Sequence, residues 1–222
     1  MIKVISVLQR RPGMAVEDFQ RHWRGEHAGI VSRLPGLRRY VQSHTLLSGY
    51  RKGQPAADGI AELWFDDTAA LRALKDSAAL AAVLADEPNF CDMTRFVQVH
   101  TGEIVIKDGP IPPDGVKNIE FVKRKAGMPV ADFQHYWRTT HGPLGASIAT
   151  VKRYVQCHTR VTAYDRAEPP ALDGFALTWF ENTAAMRESA RSQEYEDTRA
   201  DEDNFLTVPL DFIITREHVI IA

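Results

Sequence analysis

The sequence predicts an α+β fold made twice over, as two tandem βαββαβ units in one chain of 222 residues. Three observations predict it. Residues 3–46 align without gaps on residues 117–160, and 18 of those 44 positions are identical, as in "GMAVEDFQRHWRGEH" against "GMPVADFQHYWRTTH". After one inserted residue the match resumes, pairing "DGIAELWF" from Asp58 with "DGFALTWF" from Asp173 and "DEPNF" from Asp86 with "DEDNF" from Asp201. Within each copy, strand-like and helix-like periodicities follow one another in the same order.

The first strands are "IKVISVL" and "KNIEFV". Residues 16–34 and 130–149 then have apolar side chains at helical spacing. Phe19, Trp23 and His27 lie at i, i+4 and i+8, so the imidazole shares a stripe with two large aromatics. Gly142 and Pro143 are expected to end the second of these helices just after His141. "LRRYVQSHTLL" with "VKRYVQCHTRV", and "GIAELWF" with "GFALTWF", are rich in β-branched and aromatic residues and read as strands. Asp67 and Asn182, each followed by threonine, read as N-caps of alanine-rich helices over 68–85 and 183–200. A last strand closes each copy. Three prolines and two glycines in "KDGPIPPDGV" suit neither helix nor strand. The expected organisation is therefore a first repeat at 1–107, a linker at 108–116 and a second repeat at 117–222. Each repeat reads as a ferredoxin-like unit with helices on one sheet face only. Its other face needs cover, and two such sheets packed face to face make an α+β barrel inside one chain, an intrachain pseudo-dimer, with further homodimerisation open.

Composition narrows the function classes. Net charge is −2, from 27 basic and 29 acidic residues, with no basic block to neutralise a run of phosphates, so nucleic acid is not an expected partner. No run of about 18 apolar residues occurs, and no membrane association is expected. Cys91 and Cys157 offer neither a disulfide framework nor a thiolate zinc site; together with an N-terminus lacking a signal-peptide pattern, they suggest a cytoplasmic protein. Neither a glycine-rich phosphate loop nor a metal-ligand spacing appears, so no cofactor or metal is expected.

Strand alternation yields a candidate pocket. Ile60, Glu62 and Trp64 share one face of their strand and the smaller, more apolar Ala61, Leu63 and Phe65 the other, so Glu62 and Trp64 are expected to point into the barrel. Ile5 and Val7 are expected to face the helices, with Ser6 and its counterpart Glu120 inward. Tyr40, Gln42 and His44, with Tyr154, Gln156 and His158, look like a pocket wall, as does Trp179, while an inward unpaired Glu62 or Glu120 would have a raised pKa. His22, His100, His135 and His218 read as surface residues.

The helix "DFQHYWRTTHGPL", the following "RYVQCH" strand and the "WF" strand before an alanine-rich helix resemble the EthD family of dimeric α+β barrels, over nearly the whole chain and twice. The first copy departs from the pattern at Ala28-Gly29-Ile30, where the second has Gly142-Pro143-Leu144. The resemblance implies small-molecule catabolic chemistry without a cofactor, as in methylmuconolactone methylisomerase and fungal polyketide decarboxylases or dehydratases. It also implies that the helix-end histidine and a tyrosine on the next strand belong to the pocket: His27 with Tyr40, and His141 with Tyr154.

A histidine near neutral pKa can remove a proton beside a carbonyl while a tyrosine hydroxyl stabilises the enolate oxygen. The expected function is isomerase- or lyase-type acid-base chemistry on a small carbonyl, lactone or aromatic carboxylate, with the His141 pocket favoured and Arg38 or Lys152 at the substrate anion. The alternatives are a non-catalytic binding or accessory barrel, and a haem-binding, monooxygenase-like barrel. The competing reading of His27 and His141 is structural, each tying its helix to the sheet.

Overall fold

The computed structural model describes residues 1–222. Each copy builds the expected sheet. In the first, β1 (Ile2–Leu8) pairs antiparallel with β3 (Gly59–Phe65), which pairs with β2 (Leu37–Thr45). In the second, β5 (Val116–Val122), β7 (Gly174–Phe180) and β6 (Val151–Thr159) repeat that pattern. The long strands β4 (Val97–Lys107) and β8 (Asp211–Ile221) complete one closed barrel in the order β1-β3-β2-β8-β5-β7-β6-β4. Two compact units result, residues 1–100 with 217–222, and residues 101–216, so each boundary falls inside a long strand.

The helices depart from expectation in three ways. Residues 16–31 are not one α-helix: α1 (Val16–His22) passes into a π turn (Trp23–His27) before α2 (Ala28–Val31). The second unit does the same with α5 (Val130–Tyr136), a π turn (Trp137–His141) and α6 (Gly142–Ser147). Gly142 and Pro143 therefore do not stop the helix. Proline is tolerated in the first turn of a new segment, where its missing N–H costs no bond. Residues 68–85 divide into α3 (Thr68–Ala73) and α4 (Ala78–Phe90), and 183–200 into α7 (Thr183–Ser189) and α8 (Gln193–Asp201). Asp67 and Asn182 cap as expected, but Ser77 and Ser192 cap the second piece of each pair and so begin a new helix.

Aromatic packing holds each helix to its sheet. Trp23 is fully buried, 5.5 Å from Phe19 between ring centroids, and its ring lies so close to Gly59 that a Cβ there would come within 2.3 Å of it. Gly174 stands in the same relation to Trp137. Glycine is needed at both places for this approach, since any side chain would push the indole off the strand.

Candidate functional site

Register decides which side chains meet. Directly opposed residues on antiparallel strands share a face, and Ile5 and Val41 both oppose Glu62, while Val4 and Tyr40 both oppose Leu63. Ile5, Val7, Val41, Glu62 and Trp64 thus share the face turned away from the helices. Val4, Ser6, Tyr40, Gln42 and His44 share the helix-covered face. The expected directions of Glu62 and Trp64 agree with this, whereas those of Ile5, Val7, Ser6, Tyr40, Gln42 and His44 are reversed. Glu120, Tyr154, Gln156 and His158 are reversed in the second unit by the same register, since Glu120 and Gln156 both oppose Ala176. The reason is that the helix layer is not wholly apolar where it meets β2. It presents a backbone carbonyl and an indole face, which suit an amide and an imidazole.

The π turn supplies that carbonyl. A π turn redirects the backbone by one residue, and Trp23 C=O, bonded from Ala28 N–H five residues on, also accepts from Gln42 Nε2 at 2.8 Å. Because that carbonyl can only accept, the orientation of the Gln42 amide is determined: Nε2 also donates to Tyr40 Oη at 2.7 Å, and Oε1 accepts from His44 Nε2 at 2.9 Å. His44 stacks on Trp23 with 4.3 Å between centroids, and burial pushes its pKa down to about 3, so it is neutral with the proton on Nε2. The relay has one consequence for Tyr40. With Gln42 donating into its oxygen, the hydroxyl keeps its proton to donate onward, and burial raises its pKa so that it stays protonated. Gln156 repeats the arrangement, donating to Trp137 O at 2.8 Å and Tyr154 Oη at 3.1 Å and accepting from His158, whose pKa burial lowers to about 4.

His27 and His141 each bind a carboxylate that the sequence did not single out. His27 Nδ1 lies 2.9 Å from Asp86 Oδ2, and His141 Nδ1 lies 2.9 Å from Asp201 Oδ2. The signal was present in the repeated "DEPNF" and "DEDNF", at the ends of α4 and α8. Burial works to raise the Asp86 carboxyl, but hydrogen bonds from Asn89, His27 and His22 bring it below its usual range. Burial also lowers His27, with Asp86 acting against it. The imidazole is thus neutral near pH 7, protonated on Nδ1, with the Nε2 lone pair free.

In the first unit His27 and Tyr40 line a cavity of about 250 Å³ between helices and sheet. Most of the lining is apolar, from Val4, Leu63, Leu74, Leu80, Val83 and Leu84; the polar groups are Ser6, His27, Tyr40, Glu87, Gln98 and His100. His141 and Tyr154 line a cavity of only about 60 Å³, where Glu120, Arg199 and Glu202 form an ion cluster. Arg199 Nη1 lies 2.8 Å from Glu202 and 3.4 Å from Glu120. Desolvation raises the Glu120 carboxyl, and the Arg199 charge opposes that.

Glu62, Trp64 and Trp179 do not join either cleft. Glu62 is fully buried but not unpaired, with Lys3 Nζ at 2.7 Å and the Ser43 hydroxyl at 3.2 Å. Lys3 lies 4.5 Å from the Trp64 ring, and Lys117 lies 4.7 Å from that of Trp179. Three histidines expected at the surface have other surroundings: His22 binds Asp86, His100 lines the first cavity, and His218 meets His44 edge-on at 4.7 Å. Arg38 is exposed and bound to Asp66, and Lys152 lies 3.8 Å from Glu181, so neither points at a cleft.

Both halves of the chain match the EthD domain, over residues 11–94 and 125–208. The chain belongs to the EthD family. Solved structures extend the likeness of fold over its whole length. An anthrone oxidase-like protein matches at TM-score 0.67 and 8% identity, over 99% of this EthD chain and 93% of the other. A putative monooxygenase from Lactobacillus acidophilus matches at TM-score 0.58 and 12% identity, over 98% and 94%. A putative chlorite dismutase matches at TM-score 0.57 and 11% identity, over 98% and 94%. No curated protein matches the sequence. No helix is long and apolar enough to cross a membrane.

Proposed function

We propose that this EthD protein is a cofactor-independent enzyme of small-molecule catabolism, working in the cytoplasm, whose first-unit cleft removes a proton from a small, neutral, apolar carbonyl compound. The observation that carries the reading is the His27 and Asp86 pair, with Nε2 left free at a largely apolar cavity that Tyr40 also lines. His27 Nε2 takes the proton, Asp86 stabilises the imidazolium formed, and the Tyr40 hydroxyl donates to the enolate oxygen. A carboxylate substrate fits less well than the neutral compound, since no lysine or arginine lines this cavity while Glu87 does.

The test is deuterium exchange at the α-carbon of β-tetralone, a neutral aromatic ketone, followed by NMR. Exchange that His27→Ala or Asp86→Asn lowers by roughly 10²-fold or more supports the reading. Binding without exchange points instead to a ligand carrier. The monooxygenase and anthrone oxidase names of the fold neighbours suggest a variant of the same chemistry, in which the enolate reacts with dioxygen; oxygen uptake with the same ketone tests it.

The haem reading draws on the same neighbours. The helix-sheet clefts do not fit that group, because 250 Å³ is below the roughly 300–1,000 Å³ of sites for drug-sized molecules, and haem is larger than these. His44 and His158 have their Nε2 bound to glutamine and their rings stacked on tryptophan. A Soret band in freshly purified protein would favour haem held elsewhere in the chain over the acid-base reading.

A further inference from the structure

We infer that Glu87 is the second proton-transfer group of the first cleft, so that the cleft moves a proton along its substrate from one carbon to another. The inference rests on the acid-base reading of His27. Glu87 follows Asp86 on α4, so the residue that orients the base is next in sequence to one that lines the same cavity. Glu87 is buried, with a relative exposure of 7%, and no hydrogen bond or ion pair engages its carboxyl. An unpaired carboxyl in an apolar cavity is costly unless it is protonated.

The second unit shows what an engaged carboxyl looks like at this position. Glu202 corresponds to Glu87, and there Arg199 stands in place of Leu84 and Glu120 in place of Ser6, so the carboxyl is bound by a guanidinium, while desolvation and then the Glu120 charge still raise it to about 8. In the first unit Leu84 removes the guanidinium that would bind the carboxyl, and Ser6 removes the neighbouring carboxylate. The groups around Glu87 are Asp86 and Cys91 on its own segment, His27 from the π turn, Tyr40 from β2 and His100 from β4. None is a permanent cation, and desolvation first, then the Asp86 charge, raises the Glu87 carboxyl to about 7. A proton is therefore available near neutral pH.

The step balances within the cleft. His27 Nε2 removes the α-proton of a β,γ-unsaturated ketone, and the C–H electron pair enters a dienolate whose oxygen accepts from Tyr40. The protonated Glu87 carboxyl then delivers its proton to the γ-carbon, leaving a conjugated enone, an imidazolium and a carboxylate. Proton return from His27 to Glu87 through solvent resets the site.

Two reactions separate this inference from the reading beneath it: deuterium exchange of β-tetralone, which needs only the base, and conversion of cyclohex-3-enone to its conjugated isomer, which needs both groups. The inference expects wild type to do both, His27→Ala to lose both, and Glu87→Gln to lower isomerisation at least tenfold more than it lowers exchange. Equal effects of Glu87→Gln on the two reactions, or exchange without isomerisation in the wild type, overturn the role of Glu87 and leave the His27 reading standing. Neither reaction in the wild type overturns both. A protonated-carboxyl infrared band that titrates near pH 7 in wild type and in Glu202→Gln but is missing from Glu87→Gln is the readout that a purely structural glutamate with an ordinary pKa would not produce; Glu202 accounts for the band nearer pH 8.

Discussion

The two helix-sheet clefts share one framework and differ in what lines it. Both have the π turn, the tryptophan carbonyl, the glutamine relay to a tyrosine, and the histidine with its aspartate. The lining has diverged in one direction. Val4, Ser6, Leu63, Leu74, Leu80, Val83 and Leu84 in the first unit correspond to Asn118, Glu120, Thr178, Ser189, Tyr195, Thr198 and Arg199 in the second. Val31 corresponds to Gly145, where a Cβ would lie 3.0 Å from the Tyr154 ring, so α6 closes on that tyrosine. The result is an apolar cavity of about 250 Å³ in one copy and a polar one of about 60 Å³ in the other. Duplication thus freed one copy's lining to change while the framework that positions histidine and tyrosine stayed.

The framework should respond to mutation alike in both units, and here the largest effects are expected. Trp23→Ala and Trp137→Ala should each cost about 3–5 kcal/mol in denaturant unfolding, as truncation of a fully buried aromatic does. A large difference between the two would show that the units do not share one supporting layer.

The next effect concerns the lining itself. Ser6→Glu with Leu84→Arg should rebuild the second unit's ion cluster in the first and abolish binding of β-tetralone, measured by calorimetry. The reciprocal Glu120→Ser with Arg199→Leu should open the second cleft and create binding there. Retained binding in the first double variant would mean that the ligand sits elsewhere.

pH sharpens the comparison further. His44 and His158 have folded pKa values of about 3 and 4, below the ordinary 6.5, so the unfolded chain takes up protons first. The stability they contribute is present above pH 6.5 and is lost as pH falls toward those values, and the melting temperature should drop between pH 7 and 5. Glu87 has the opposite sign. Its pKa is raised from 4.5 to about 7, so it destabilises the fold as pH rises through that window, and Glu87→Gln should raise the melting temperature at pH 8 more than at pH 5. Glu202→Gln should act in the same direction, since desolvation and then the Glu120 charge raise that carboxyl to about 8 against the opposing Arg199 charge. The smallest effect is expected at Arg38→Ala, an exposed pair with Asp66, where no measurable change in melting temperature should appear.

The sequence by itself determined the duplication, the order of strands and helices and the family, and the family resemblance implied the pairing of His27 with Tyr40 and of His141 with Tyr154. These follow from local pattern: repeat identity, period and motif are all read along the chain. Only the tertiary structure decided which face of β2 the tyrosine, glutamine and histidine occupy, because alternation sorts residues into two sets without saying which set faces the helices. There Lys3 satisfies Glu62 on one face, and the Trp23 carbonyl and ring receive Gln42 and His44 on the other. Asp86, 59 residues from His27, and the difference in cleft volume were settled in the same way, since both depend on side chains that meet only once α4 lies across the sheet.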